Sequence, residues 1–250
     1  MSVSGNSLTV AIPALNEAKN IPSTVASVLS AAAKAPDLAI EIIVIDDGST
    51  DRTAEVVAEL ARENPSIRLL RNPQNMGLGA SIRRAIVEAT TDRFIIVPGD
   101  NDIPRSTLEL LFCNANAADV VMTYFLNDEI RGRMRYLISE AFRLIYTTLF
   151  DLYVMYLNGP AVYPVAKLRE LRLHSTRFSI VAEINVRLLR QGLSFIELPS
   201  NRQVGIEGST SATLRSFAET ARVLLCLLAD VHFMERDRYA KRPVRITGTR

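Results

Sequence analysis

The sequence predicts an α/β protein: a mainly parallel sheet flanked by helices, with an amphipathic helix near the C-terminus. Three observations carry that expectation. Apolar runs of strand length alternate with amphipathic runs of helix length through the first half of the chain, the pattern of β-α-β units that makes parallel sheets. Two of the apolar runs end abruptly in carboxylates. At 250 residues, 48% hydrophobic and 22% charged, the chain has apolar side chain enough for one large core.

In chain order, strands are expected at 8–12, 40–45, 67–70, 94–97 and 120–124, and helices at 22–35, 52–63, 78–89 and 107–117. The pattern then changes. Residues 131–157 form one long segment in which Met134, Leu137, Ile138, Phe142, Ile145, Leu149, Leu152, Met155 and Tyr156 recur at helical spacing. Arg131, Arg133, Arg135 and Arg143 crowd its first half. A helix at 180–190, a strand at 195–198 and an amphipathic helix at 214–233 complete the reading. A catalytic domain over 1–210 is expected, followed by a C-terminal helix and basic tail over 211–250. There is no internal repeat and no low-complexity linker.

The most informative stretch is Phe94-Ile95-Ile96-Val97-Pro98-Gly99-Asp100-Asn101-Asp102, a buried-strand run that leads into two carboxylates spaced i, i+2. In extended chain these side chains point the same way, so Asp100 and Asp102 can converge on one cation while Asn101 faces elsewhere. A Mg²⁺ or Mn²⁺ ion held by one or two carboxylates, with phosphate oxygens filling its other positions, suits the neutralisation of a diphosphate. The alternative is a solvated turn leading into a helix that Ser106 and Glu109 cap as Ser-x-x-Glu. A second turn repeats the design: Ile42-Ile43-Val44-Ile45 runs into Asp46-Asp47-Gly48-Ser49, with Thr50 or Asp51 as the next helix cap. Ligands of open α/β sheets bind outside the carboxyl ends of the strands, so two acidic strand ends mark a candidate site. The carboxylates of Asp46 and Asp47 could equally stabilise the turn by bonding local amides.

Composition removes several function classes. Cys113 and Cys226 have neither a disulfide framework nor metal-ligand spacing, which fits a reducing compartment. A formal charge of +2, without aromatic and basic residues interleaved, gives no reason to expect nucleic acid. The N-terminal residues lack a signal-peptide pattern, and no apolar run approaches the roughly 18 residues of a membrane span. A cytoplasmic location is expected.

Val10-Ala11-Ile12-Pro13-Ala14-Leu15-Asn16-Glu17, Ile45-Asp46-Asp47-Gly48-Ser49-Thr50-Asp51, Asn75-Met76-Gly77-Leu78-Gly79 and Asp100-Asn101-Asp102 follow successive strands, and together they resemble a family 2 glycosyltransferase of the GT-A fold. Within it the chain is most similar to the dolichyl- and polyprenyl-phosphate sugar transferases. Arg135-Tyr136-Leu137-Ile138-Ser139 resembles the Arg-x-x-x-Ser acceptor-phosphate motif, and Phe178, Glu183, Gly192, Glu197 and Pro199 follow in the family's order. The resemblance covers residues 8–205. It implies a nucleotide-sugar site drawn from Pro13, Leu15, Asn16, Glu17, Asp46, Asp47, Gly77, Leu78, Asp100, Asn101 and Arg202, with Asp47 on the base and Asp100 and Asp102 on the metal. Arg135 and Ser139 would orient the acceptor. Gly77 and Gly79 open a helix whose free N–H groups and dipole favour an anion. A Gly-x-Gly without a third glycine is no dinucleotide fingerprint, so an NAD-binding fold is set aside.

The sequence departs from the family at several places. Leu15 replaces an aromatic residue, Pro104 a glutamine, and Thr123 the arginine of a Ser-Arg-Tyr strand end; Asn158-Gly159-Pro160 replaces Ser-Gly-aromatic. Gly205-Ile206-Glu207-Gly208-Ser209-Thr210 lacks the lysine of a Gly-x-Ser-Lys loop. Two phosphate-directed cations are thus missing. Either Arg202 and Arg135 carry that charge, or the donor or acceptor differs. A sugar hydroxyl acceptor needs a general base, whereas a phosphate monoester with a second pKa of about 6 is already largely dianionic at neutral pH. The Glu-Asp pair that supplies a base in hydroxyl-directed relatives reads Glu183-Ile184 here, which favours a lipid phosphate. Transfer to a glycan or small-molecule hydroxyl is the alternative, and a noncatalytic receiver-like module with an Asp46-Asp47 pocket is the remote one. A lipid acceptor would place the protein peripherally on the cytoplasmic membrane face, through 131–157 and the basic residues Arg236, Arg238, Lys241, Arg242, Arg245 and Arg250.

Overall fold

The computed structural model describes residues 6–127, 133–177, 179–202 and 214–247. Its first half alternates strand and helix as expected: β1 (Ser7–Ala14), α1 (Ile21–Ala32), β2 (Ala39–Asp46), α2 (Thr53–Glu63), β3 (Ile67–Arg71), α3 (Leu78–Glu88), β4 (Arg93–Ile96), α4 (Arg105–Cys113) and β5 (Val120–Phe125). Then come α5 (Arg133–Leu149), β6 (Ala161–Pro164), α6 (Val165–Arg169), α7 (Ile180–Arg190), β7 (Ser194–Ser200) and α8 (Leu214–Ala229). A π-helical turn (Asp230–Met234) and β8 (Val244–Arg245) follow.

The strands form one sheet in the order β3-β2-β1-β4-β6-β5-β7-β8. All neighbours are parallel except β6, which lies antiparallel between β4 and β5. The carboxyl ends of β1 to β5 and β7 therefore share one edge. Strands covered on both faces should be apolar on both faces, and they are. Along β2, Ile42 and Val44 pack under α1, α2 and α4 with Val25, Val57 and Leu111, whereas Ile43 and Ile45 pack under α3 and α7 with Ile82 and Ile184. The C-terminal segment joins the second of these layers, since Val223, Leu227, Val231 and Tyr239 are all buried there.

Four local readings need correction. The long segment is helical only to Leu149; Asp151 then takes a left-handed φ of 49°, and Leu152, Val154 and Leu157 turn into the core as loop residues. Its helical spacing past 149 reflects burial alone. Ser106 and Glu109 do not cap α4: its N-cap is Pro104 with no side-chain cap bond, and Glu109 pairs with Arg105 at 3.1 Å. At α2 neither Thr50 nor Asp51 is the cap: the N-cap is Arg52 with no side-chain cap bond, and Asp51, one residue earlier, accepts from Thr53 N at 3.0 Å through its Oδ1. Finally, β6, α6 and β8 were not expected. Four-residue and two-residue strands have no measurable period, and Pro164 argues against a strand until its pairing is seen.

Candidate active site at the carboxyl edge of the sheet

The turns after β1 and β2 are locked together. Asn16, at φ 58°, accepts from Thr50 N at 2.9 Å through its Oδ1, while Asn16 N donates to Ser49 Oγ at 2.9 Å and Glu17 N to Thr53 Oγ1 at 2.9 Å. Pro13 lies buried beneath them, and Leu15 projects with 40% of its surface exposed. Asp46 is wholly buried; its Oδ1 accepts from Ser49 N at 2.9 Å, and its Oδ2 lies 3.2 Å from Arg71 Nε. Gly48 has φ 77°, and a Cβ there would stand 2.4 Å from the carbonyl carbon of Gln74, so the turn requires glycine. Between these turns and the end of β3 opens a cleft of about 550 Å³ lined by Gly48, Ser49, Thr50, Arg71, Asn72 and Gln74 among others.

Asp47 has a local task. Its Oδ1 accepts from Asn72 Nδ2 at 2.7 Å and Met76 N at 3.0 Å, and its Oδ2 from Gly77 N at 2.9 Å. Asn72 also bonds Ser81 Oγ and receives Arg84 Nη1, so one buried amide ties β2, β3 and α3. The glycine turn serves the chain itself as well. Gly79 N donates to Thr176 O at 3.0 Å, and Cβ atoms at Gly77 and Gly79 would come within 2.7 Å of Thr176 O and 2.3 Å of Ser175 O. The expectation of free N–H groups there is therefore corrected: those of Met76, Gly77 and Gly79 are already bonded, because the 175–176 backbone and Asp47 reach them first. Leu78 begins the helix between them.

The second acidic turn also forms differently from the expected extended pair. β4 ends at Ile96, Gly99 N still bonds Pro13 O at 3.2 Å, and Asn101 adopts φ 59°. Asp100 and Asp102 are neighbours because Asp100 Oδ1 accepts from Asp102 N at 3.2 Å across this turn, and Asn101 Oδ1 accepts from Ser27 Oγ. Burial, helped by the Asp102 charge, pushes the Asp100 carboxyl above the usual carboxylate range despite that hydrogen bond. Among the described residues neither carboxylate meets a cationic side chain, and no group of three or more metal-ligating side chains exists. Two uncompensated carboxylates, one partly desolvated, fit a hard divalent ion that takes its other ligands from phosphate and water.

On the far side of the edge, Arg202 donates to Tyr156 Oη at 3.1 Å and lies 3.7 Å over the Phe125 ring. Arg135 and Ser139 lie four residues apart on α5, which sets them on one helical face; the Arg135 side chain, Arg131, Phe178 and 205–210 lie outside the described residues. Glu183 is fully buried, accepts from His174 N and Ser175 N, and pairs with Arg187 at 3.1 Å. Sequence reasoning missed Asn72 and Glu219, although a polar residue closing an apolar strand was a signal for Asn72.

A doubly covered parallel sheet with one antiparallel strand and an acidic turn at its carboxyl edge defines the GT-A class of transferase fold. The family model for glycosyl transferase family 2 matches residues 9–168, and the chain belongs to that family. Two curated relatives are a dolichyl-phosphate beta-glucosyltransferase (ALG5C) of Trichomonas vaginalis and a dolichol-phosphate mannosyltransferase of Pyrococcus furiosus. The first is 40% identical over 96 residues, 37% of this chain and 28% of the relative. The second is 29% identical over 116 residues, 46% of this chain and 32% of the relative. The match thus spans about a third of their length. Among solved structures, glucosyl-3-phosphoglycerate synthase of Mycobacterium tuberculosis, in complex with Mn²⁺, UDP-glucose and phosphoglyceric acid, superposes with a TM-score of 0.61 at 16% identity, covering 90% of this chain and 79% of the synthase.

Proposed function

We propose that the protein transfers a sugar, with inversion, from a nucleoside diphosphate donor to a polyprenyl or dolichyl phosphate at a membrane surface. The observation that carries this reading is the meeting of the Asp46-Asp47 turn, its cleft and the Asp100-Asp102 turn on one edge of the sheet. The nucleoside would lie in the cleft beside Asn16, Leu15 and the Asp47-bound loop, with its diphosphate toward Asp100 and Asp102. A Mg²⁺ or Mn²⁺ ion held by those carboxylates would neutralise charge developing on the leaving diphosphate. The dolichyl-phosphate specificity of the curated relatives and the Mn²⁺ in the synthase complex support the same reading.

Two features favour a phosphate nucleophile. Glu183, the carboxylate nearest the family's base position, is buried and fully bonded to its own chain, so it is in no position to deprotonate a hydroxyl. Helix α5, which carries Arg135 and Ser139, is apolar on its outer side: Met134, Leu137, Ile138, Leu144, Ile145 and Leu149 are 39–70% exposed at spacings of three, four and seven. No helix among the described residues is long and apolar enough to cross a membrane, and such a stripe suits a helix lying in the interface, on the cytoplasmic face by this reading.

Binding of UDP and GDP with and without Mn²⁺ tests the first step. Metal-dependent binding that Asp102→Ala abolishes is expected, and no binding of either nucleotide would refute the transferase reading. Incubation with a synthetic isoprenyl phosphate and a panel of nucleotide sugars tests the second: a lipid-linked monosaccharide supports the lipid acceptor, and transfer to sugar hydroxyls alone replaces it with the alternative acceptor.

A further inference from the structure

Residues 174–177 are irregular backbone between α6 and α7, yet every peptide group along them has a partner. On the N–H side, Glu183 of α7 accepts from His174 at 2.9 Å and Ser175 at 2.8 Å, and Glu219 of α8 accepts from Thr176 at 2.8 Å and Arg177 at 3.2 Å. On the carbonyl side, Arg222 donates to His174 at 3.0 Å, Arg83 to Ser175, Gly79 N to Thr176 at 3.0 Å, and Ile180 N to Arg177 at 3.3 Å. Loops are ordinarily the least constrained part of a fold. This one is fixed by side chains from three helices.

Glu219 contributes most to that fixation, since it also accepts from Ser175 Oγ at 3.0 Å and Ser179 Oγ at 2.7 Å. Burial alone would raise its pKa, but the bonds from Ser179, Thr176, Ser175 and Arg177 outweigh it and hold the carboxyl below its ordinary range. Arg177, on the same rigid backbone, is half-buried, and its guanidinium makes no hydrogen bond or ion pair among the described residues. A guanidinium with its backbone fixed and its own donors unspent is arranged for an incoming anion, because little rotamer freedom beyond its side chain remains to be lost. The glycine turn against which this loop packs has already spent the N–H groups of Met76, Gly77 and Gly79. Charge for a phosphate there must come from a side chain.

We infer that Glu219 is a positioning residue that, through the fixed 174–177 backbone, holds Arg177 as a phosphate ligand beside the start of α3. This rests on the nucleotide-sugar reading above and supplies a cation in a chain that has Thr123 on β5 and no lysine in 205–210. The phosphate belongs to the donor diphosphate or to the acceptor monoester, and the two are separable. Calorimetric titration of the full chain with UDP and GDP in Mn²⁺, and with farnesyl phosphate, reads both. Arg177→Ala should weaken one of these ligands by about tenfold or more, and Arg177→Lys by less, because lysine keeps the charge but not the bidentate fork. Loss on the nucleotide arm identifies the donor, and loss on the farnesyl phosphate arm the acceptor.

Glu219→Gln should weaken the same ligand, and the double variant should be no worse than Arg177→Ala, since the group being positioned is gone. Unchanged affinities in Arg177→Ala overturn the inference, as does a Glu219→Gln effect that adds in full to it. Should Glu219→Gln fail to fold, Ser179→Ala removes one of its four bonds and takes its place in the cycle. A wild-type chain that binds none of the three ligands would refute the nucleotide-sugar reading instead.

Discussion

Asp100 illustrates how a single residue is tuned against its own fold. A carboxyl whose pKa is raised in the folded state binds its proton more tightly there than in the unfolded chain, so its ionisation costs stability as pH rises from the unfolded value through the folded one. Asp100→Asn should therefore raise the thermal midpoint of the metal-free protein at neutral pH, while abolishing Mn²⁺-dependent nucleotide binding. A midpoint that falls would mean the carboxylate is compensated in the fold. For the wild type, Mn²⁺-dependent binding should be lost on acidification at a pH above that of an ordinary aspartate, because the proton and the metal compete for Asp100; a titration of nucleotide affinity against pH measures this. Asp47 serves the fold through hydrogen bonds instead. With three donors aimed at it, Asp47→Ala would strand Asn72 Nδ2 and two backbone N–H groups.

At the scale of elements, α3 and α5 each combine a packed side with a side that has another use. The turn before α3 meets the 175–176 backbone so closely that Gly79→Ala should be destabilising by roughly 2 kcal/mol or more, as for other overpacked buried sites. Chemical denaturation checks that, and a neutral substitution would mean the 175–176 segment gives way. Helix α5 carries two apolar faces. Its inner one stacks Phe142 on Tyr146 at 4.2 Å, and the ladder goes on past the helix end through Phe150, tilted against Tyr146 at 5.8 Å, to His232, stacked at 5.9 Å. Its outer one is the exposed stripe. Replacing Leu144 and Ile145 with serine should leave the fold intact and reduce co-sedimentation with anionic vesicles, and binding should weaken with salt. A wild-type chain left wholly in the supernatant at low salt would refute the interface role of this helix. The long segment was readable as amphipathic, but which of its apolar residues face inward was not, because a helix with two apolar faces gives one broad signal.

Across the whole molecule, the C-terminal segment is fastened to α7 by a buried ion cluster. Arg187, with no exposed side-chain surface, pairs with Asp230 at 2.7 Å and Glu183 at 3.1 Å and donates to Tyr239 Oη at 3.0 Å. Burial would lower its pKa, but Asp230 and Tyr239 more than offset this and hold it protonated. Arg187→Ala should cost about 3–5 kcal/mol, because it leaves two carboxylates buried without their cation. The same variant should loosen the loop that Glu183 fixes, which proteolysis between α6 and α7 would report.

The sequence by itself determined the alternation of strands and helices, the identity of the strands that end in carboxylates, and the family, because these are local: periodicity and strand-end chemistry are written in consecutive residues. What only the tertiary structure decided is non-local. The antiparallel insertion of β6 depends on two partners distant in sequence. The consumption of the glycine turn's donors depends on a backbone segment a hundred residues later. The joint fixation of that segment by Glu183 and Glu219 depends on how α7 and α8 pack. A side chain's pattern reports which face it occupies, but its hydrogen-bond partner is set by what the fold brings against that face.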